Sequence, residues 1–259
     1  MTAPAVPGYR DLSYSVDPAA VDAPSAVEFM REALIRIDEE EVSRIAAEME
    51  RKRAILAPLL AREALKRSTA DAVRPILARS FATRRRSDEL LVAVGGPNIA
   101  RAILDLVHGD APIAERFLAF DDALAAVDPS VRRDLGSECL HFADPERAWL
   151  WSRWMWDPVA RTGALPLVMV QDFDFSAPDA GGTYLRVGVA LSAVLATADE
   201  LGFRKMRSGP FVVDVYLAAI YAVYLYTVLR IRMTQEFTRI VPAHPELIRR
   251  LLGVHRLDG

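Results

Sequence analysis

The stretch Gly209–Leu229, GPFVVDVYLAAIYAVYLYTVL, is apolar, long enough to span a bilayer, and decides the fold class. Its only charged residue is Asp214, and tyrosines run through its middle at Tyr216, Tyr221, Tyr224 and Tyr226. Tyrosines of a membrane span concentrate at the two interfaces. The central helix of a large helical domain, in contrast, is apolar all round because every face is buried. The segment therefore predicts a long central helix within a helical bundle, with no membrane contact.

Helical patterns also dominate the rest of the chain. Ser25 and Glu28 form a capping-box pattern, and apolar residues then recur at helical spacing as far as Met49, which predicts one long helix. The stretch 164–183 contains proline and glycine and alternates only partly, so at most one short strand is expected near 165–175. The predicted fold class is all-α, a multi-helix globular bundle around the long apolar helix.

These patterns also predict how the chain is divided. The stretch 164–183 is the least helical part of the sequence, which makes it the best candidate boundary between two helical regions. The expected segments are a flexible N-terminal arm (1–24), a helical region (25–163), a connector (164–183), a helical region packed on the first (184–253) and a tail (254–259).

Composition narrows the functional classes. Of 259 residues, 52% are hydrophobic and 26% charged, which is typical of a globular protein. The single cysteine, Cys139, cannot form an internal disulfide, and with four histidines it does not complete a structural zinc site, so we expect a cytoplasmic protein with no metal and no cofactor. The phosphate-loop, dinucleotide, zinc-protease and serine-hydrolase motifs are absent from the sequence, which argues against those enzyme classes.

All four tryptophans lie between residues 149 and 156, in the stretch PERAWLWSRWMW that follows Asp144. Because Asp144 and Pro145 are typical of a helix start, the stretch predicts a tryptophan-rich helix. Indole rings either pack between helices or stack on flat ligands. One alternative is a core cluster, and the other is a ligand pocket lined by Trp151, Trp154 and Tyr221.

Two residues are candidates for acid and base chemistry. His141, near Cys139, is either a general base or a core histidine bonded to a carbonyl. Asp214 is an isolated acid in an apolar helix, where burial favours a raised pKa suited to catalysis. Its alternative is a structural ion pair, or an acid that interacts with the helix dipole in the first turn.

The run Arg84, Arg85 and Arg86 is a candidate phosphate-binding site. Backbone amides at the predicted helix start near Gly95 to Pro97 could assist it. The alternative is a solvated surface patch. With a net charge of −3, the whole chain does not favour binding to nucleic acid.

The residues Leu140 to Trp151, in the pattern L-H-F-x-x-P-E-x-x-W-x-W, resemble a segment of helical proteins related to the helix-hairpin-helix DNA glycosylases. The resemblance implies a helical fold and DNA binding. The glycine hairpin by which those enzymes hold a DNA phosphate is replaced here by Asp128, Pro129 and Ser130.

Three functions are compatible with the sequence. The first is a helical accessory protein that binds a protein partner or forms a homo-oligomer. The second is a DNA-binding or glycosylase-like protein that uses Arg84 to Arg86. The third is a small-molecule enzyme with the aromatic pocket, oriented by His141 and Asp214.

Overall fold

A computed structural model describes residues 17–67, 69–232 and 242–255, and it confirms the predicted all-α class. In the described part, 65% of the structure is helical and no strand occurs. The helices are α1 (Ala23–Leu34), α2 (Glu39–Leu59), α3 (Arg62–Leu65), α4 (Ala70–Arg79), α5 (Ser87–Ala93), α6 (Gly96–His108), α7 (Ile113–Ala123), α8 (Pro129–Ala143), α9 (Ala180–Thr197), α10 (Val212–Arg232) and α11 (His244–Leu252). Near 165–175, the chain forms a short 3-10 helix, Leu165–Leu167, instead of a strand.

The first helical region is two helices, so the single long helix predicted from Ser25 was wrong. Asp22 caps α1, because its carboxylate accepts the backbone N–H of Ser25 at 3.3 Å. After a break at 35–38, the Asp38 carboxylate accepts the N–H of Glu41 at 2.7 Å and starts α2. The capping-box pattern identified the correct region, but the aspartates immediately before each helix, Asp22 and Asp38, determine the boundaries.

The described residues form two compact units. Unit 1 comprises Glu50–Arg153 and Asp174–Val189, and unit 2 comprises 17–49, Trp154–Phe173 and the described part of Ala190–Gly259. The unit boundaries fall inside α2 and α9, whereas the sequence predicted contiguous regions separated at 164–183.

In unit 1, α6 packs on α3, α4, α7 and α8. The helix α8 is central, since every side chain from Asp134 to Phe142 is buried. Its contact with α7 is close at Gly136, where an added Cβ would lie 2.7 Å from the Phe120 ring. Any larger residue at position 136 would collide with the Phe120 ring, so the close approach of α7 and α8 requires glycine there.

In unit 2, α10 packs on α1 and α11 and is the long apolar helix predicted from Gly209–Leu229. Its first half is buried on every face, from Phe211 to Ile220. Arg249 of α11 contacts two acids of α2, with distances of 2.7 Å to Glu41 and 2.8 Å to Glu48.

The predicted tryptophan-rich helix is wrong, because residues 144–163 form turns and irregular structure. In unit 1, side chains of α8 bind the backbone of this segment: the Trp151 N–H donates to the Ser137 hydroxyl, and the Arg153 N–H donates to the Asp134 carboxylate at 3.2 Å. In unit 2, the Trp154 carbonyl accepts the Ala164 N–H at 2.8 Å. These long-range bonds replace the hydrogen bonds of a helix ladder.

Among the described helices, α9 is long and apolar enough to cross a membrane by length and composition alone. Of its 18-residue window, 72% is buried within the protein. The core helix of a folded domain meets the same criterion. The pair α5 and α6 would qualify only jointly and is bent by 97°.

Candidate functional site

Four polar residues of α8 lie at helical spacing in the stretch 134–142, which is buried and otherwise apolar: Asp134, Ser137, Glu138 and His141. We call this set the polar stripe of α8. A buried polar group is costly unless it is hydrogen-bonded. Each member of the polar stripe is accordingly bonded, and each bond fixes another part of unit 1.

Glu138 forms a buried ion pair with Lys52 of α2. The Lys52 Nζ lies 2.8 Å from Glu138 Oε1, and the two side chains are 1% and 8% exposed. The Lys52 ammonium also lies 4.7 Å from the centre of the Phe142 ring. A buried pair of this kind is retained only when further hydrogen bonds satisfy both groups.

The additional bonds to Glu138 come from the end of α4. The Ser80 hydroxyl donates to Glu138 Oε2, and the Phe81 N–H donates to the same oxygen at 3.0 Å. These two residues begin the segment Ser80–Arg86, which we call the arginine turn. The buried pair therefore fixes the start of the segment that carries the predicted phosphate-binding residues.

The arginine turn presents Arg84, Arg85 and Arg86 at different exposures. Arg85 and Arg86 are exposed, and Arg84 is half-buried with its guanidinium 5.6 Å from the centre of the Phe81 ring. Arg86 lies 3.7 Å from Glu89. Packing on Phe81 restrains Arg84, while the two exposed guanidinium groups keep their hydrogen-bonding capacity for a partner.

Asp134 occupies the N-terminal end of the polar stripe. Its carboxylate accepts the Arg153 N–H and lies 3.3 Å from the Arg153 Nε. Burial raises the pKa of Asp134 to about 7, against the opposing effect of Arg153, and the nearby Glu138 raises it further. Asp134 therefore titrates near neutral pH, unlike an ordinary aspartate.

His141 lies in the interior of unit 1. Its ring is buried, and Nδ1 lies 2.8 Å from the Ala148 carbonyl. A carbonyl only accepts, so Nδ1 donates in this bond. Burial also raises the pKa of the neighbouring Cys139 thiol, which disfavours the nucleophilic thiolate.

The aromatic residues of unit 1 form a stacked core. The Tyr184 ring stacks on Phe117 and on Trp149, with centroid distances of 4.5 Å in both cases. The Trp149 Nε1 donates to the Tyr184 carbonyl at 2.9 Å, and the Tyr184 hydroxyl donates to the Trp149 carbonyl at 3.0 Å. Trp151 is buried against Phe117 at 5.8 Å. Contacts of this kind are expected where tryptophans pack in a core cluster, which is one of the two alternatives given by the sequence.

Of the remaining predicted residues, Trp154 and Tyr221 are brought together in unit 2, with ring centroids 6.4 Å apart. Burial raises the pKa of Tyr221, and Tyr224, at 5.8 Å, raises it further. Asp214 is 1% exposed in the first turn of α10. Trp151 and His141 belong to unit 1, so the pocket and the catalytic role proposed from the sequence stay predictions.

Unit 1 also contains a pocket of about 530 Å³ between the end of α6, the start of α7, the end of α8 and Leu185 of α9. Its walls include Val107, Ile113, Leu140 and Leu185. Its charged side chains are Arg116, Asp144 and Arg147. The predicted aromatic residues Trp151, Trp154 and Tyr221 do not line this pocket.

Sequence reasoning missed Lys52, Asp134 and Arg116 as important residues. Lys52 lies between Arg51 and Arg53, and a run of charged residues in a helical pattern is typical of a solvated face. In the structure Lys52 lies instead on the buried face of α2, in register with Ile45, Met49 and Leu56. A lysine at spacings of three and four from apolar residues is a pattern that could have predicted the buried pair.

Comparison of the chain with family models, with curated proteins and with solved structures gives no match. The resemblance to the helix-hairpin-helix glycosylases therefore stays a prediction based on Leu140 to Trp151.

Proposed function

We propose that this chain is a helical accessory protein that binds an acidic surface of a protein partner through the arginine turn, Ser80–Arg86. The observation that carries the proposal is the attachment of this turn to the buried Glu138–Lys52 pair. A binding segment that is already ordered loses less conformational entropy when its partner binds. An arginine run on an unattached loop would have no such advantage.

The local charge supports an acidic partner. Between Arg79 and Glu89 the sequence contains four arginines and two acids. The planar guanidinium group binds carboxylates through two parallel hydrogen bonds, which suits recognition of aspartate and glutamate side chains. The net charge of −3 opposes an extended polyanion but not a compact acidic patch.

The candidate catalytic groups of unit 1 support binding over catalysis. His141 is 1% exposed, and Cys139 is buried with a raised pKa. A general base has to lie within reach of a substrate, and a nucleophilic cysteine needs a lowered pKa. Neither arrangement is found at these two residues.

Site-specific photo-crosslinking tests the proposal. A benzophenone amino acid at Ala82, within the arginine turn, leaves all three arginines in place, and the exposed Ala54 on α2 is a matched control position. In native lysate we expect crosslinks from position 82 to acidic peptides of a specific protein. The yield should fall with added salt and in the Arg84→Gln/Arg86→Gln variant.

The outcome decides between the proposal and the DNA-binding alternative. Equal crosslinking from positions 82 and 54, or crosslinking that is insensitive to the arginine substitutions, would exclude the arginine turn as the binding surface. A gel shift of duplex, mismatched or single-stranded DNA that depends on Arg84 to Arg86 would instead support the nucleic-acid alternative.

A further inference from the structure

We propose that the pocket in unit 1 binds a small organic monocarboxylate with an apolar body. This proposal is independent of the arginine turn. The volume of about 530 Å³ lies within the roughly 300–1,000 Å³ typical of small-molecule sites. The arguments for the class of ligand are the apolar wall and the charges at its edge.

The wall of the pocket is mainly apolar. Val107, Ile113, Leu140 and Leu185 contribute branched side chains, and four alanines (Ala111, Ala114, Ala143 and Ala148) leave the space between them open. Val107, Ile113 and Leu185 are each only partly buried. An apolar ligand would remove this surface from water, which favours binding.

Arg116 supplies a fixed cation. Its Nε donates to the Ala111 carbonyl at 2.9 Å, and its Nη1 donates to the carbonyls of Val107, at 3.2 Å, and Leu106. No residue in the described ranges accepts a hydrogen bond from Nη2. The guanidinium is therefore held in place by the end of α6 and the loop that follows it, while one donor group stays available for a carboxylate oxygen.

The charge at the pocket indicates a monoanion. Arg116 and Arg147 are the cations, and Asp144, whose carboxylate lies 3.8 Å from the Arg147 Nε, is the one acid among the lining residues. Among the lining side chains the cations exceed the acids by one, and the Asp110 carboxylate, outside the lining, also acts on Arg116. Burial also lowers the pKa of Arg116, and a bound carboxylate would offset the cost of removing this cation from water.

Methyl NMR titration with three probes of equal chain length tests the proposal: octanoate, octanol and octylammonium. We expect octanoate to shift the methyl signals of Ile113, Leu140 and Leu185, with a dissociation constant of about 0.1–1 mM. Octylammonium should bind at least about tenfold more weakly because it meets Arg116 with a like charge. The methyl signals of Leu252, in unit 2, should not shift.

Two variants locate the site. Ala143→Phe fills the pocket and should weaken octanoate binding by about tenfold or more, with circular dichroism confirming the fold. Arg116→Gln should remove the preference for octanoate over octylammonium. Arg51→Gln, at an exposed arginine of α2, should change neither.

The proposal is overturned if octanoate does not shift the pocket methyl signals, or if octylammonium binds as tightly as octanoate. It is also overturned if folded Ala143→Phe protein binds octanoate like the unaltered chain. Because these readouts do not involve residues 80–86, they can fail while the crosslinking experiment succeeds, and the reverse also holds.

Discussion

Asp134 should make the stability of the protein depend on pH. Its pKa is about 7 in the folded protein, against an ordinary value near 3.8, because burial disfavours the carboxylate. Below the ordinary value, both folded and unfolded states hold the proton and no penalty exists. As pH rises towards 7, the unfolded state loses the proton first, so the stability contributed by the protonated group is lost.

The variant Asp134→Asn should therefore gain stability relative to the unaltered chain as pH rises from 4 to 8, by roughly 1–3 kcal/mol. Its amide oxygen can still accept the Arg153 N–H. Urea unfolding at several pH values measures the difference, and Asp122→Asn, at an exposed aspartate of α7, is the control. A difference that stays constant from pH 4 to pH 8 would contradict the role of Asp134.

The buried Lys52–Glu138 pair gives a second prediction at the scale of single residues. Lys52→Met should destabilise the fold by about 3–5 kcal/mol, because it leaves the Glu138 carboxylate buried without its cation. Lys52→Met/Glu138→Met should recover part of this loss, since both charges are removed and the volume is kept, while the Ser80 hydroxyl and the Phe81 N–H lose their acceptor. Urea unfolding of the single and double variants measures the coupling, and simple additivity of the two substitutions would argue against the pair.

At the scale of elements, the packing of α9 on the aromatic core depends on Gly188. A Cβ at this position would overlap the six-membered ring of Trp149. Trp149 is fixed by its stack on Tyr184, so it cannot move away without losing that contact.

Gly188→Ala should destabilise the fold by roughly 1–3 kcal/mol, in spite of the higher helix propensity of alanine. Gly209→Ala is the control, because the nearest atom to a Cβ there is a Val212 methyl at 3.7 Å. Thermal unfolding of the two variants separates the effects. An equal change in both would show that the aromatic core tolerates the added methyl group.

Helix boundaries were predictable where the determinants are local. Asp128 caps α8 by accepting the Ser130 N–H at 2.9 Å, Pro97 lies in the first turn of α6, and Gly253 ends α11 in the left-handed conformation. The segment after Asp144 has an equally good start pattern, yet it is not helical. Its backbone bonds to Ser137 and Asp134 of α8, and a pairing between distant residues is not encoded in the local sequence.

At the scale of the whole molecule, the sequence predicted the long apolar helix α10 but not which segments share a core. Glu50–Arg153 and Asp174–Val189 form one unit although twenty residues separate them. The hydrogen-bond partners of the polar stripe of α8 were unpredictable for the same reason. His141 and Glu138 were visible as polar residues in the sequence, but their partners Ala148 and Lys52 depend on the tertiary fold. The arginine run was visible in the sequence, and its attachment to a buried pair was not.

That attachment makes a final prediction, which joins the interior of unit 1 to its surface. Lys52→Met/Glu138→Met should fold, since both buried charges are replaced by apolar groups of similar volume. The Phe81 N–H and the Ser80 hydroxyl lose their acceptor in this variant. Hydrogen exchange in the peptide 80–86 should accelerate by about tenfold, because the amide protected by Glu138 becomes free to exchange.

Crosslinking from position 82 should fall in this variant although all three arginines are present, because the arginine turn then loses conformational entropy on binding. Arg84→Gln/Arg86→Gln should also crosslink little, but with slow exchange, because it keeps the Glu138 anchor and removes the charges. Hydrogen-exchange mass spectrometry and crosslink yield are measured on both variants. Together they separate the effect of an ordered arginine turn from the effect of its positive charge. If the Met variant exchanged faster but still crosslinked fully, the arginines would bind without needing an ordered turn.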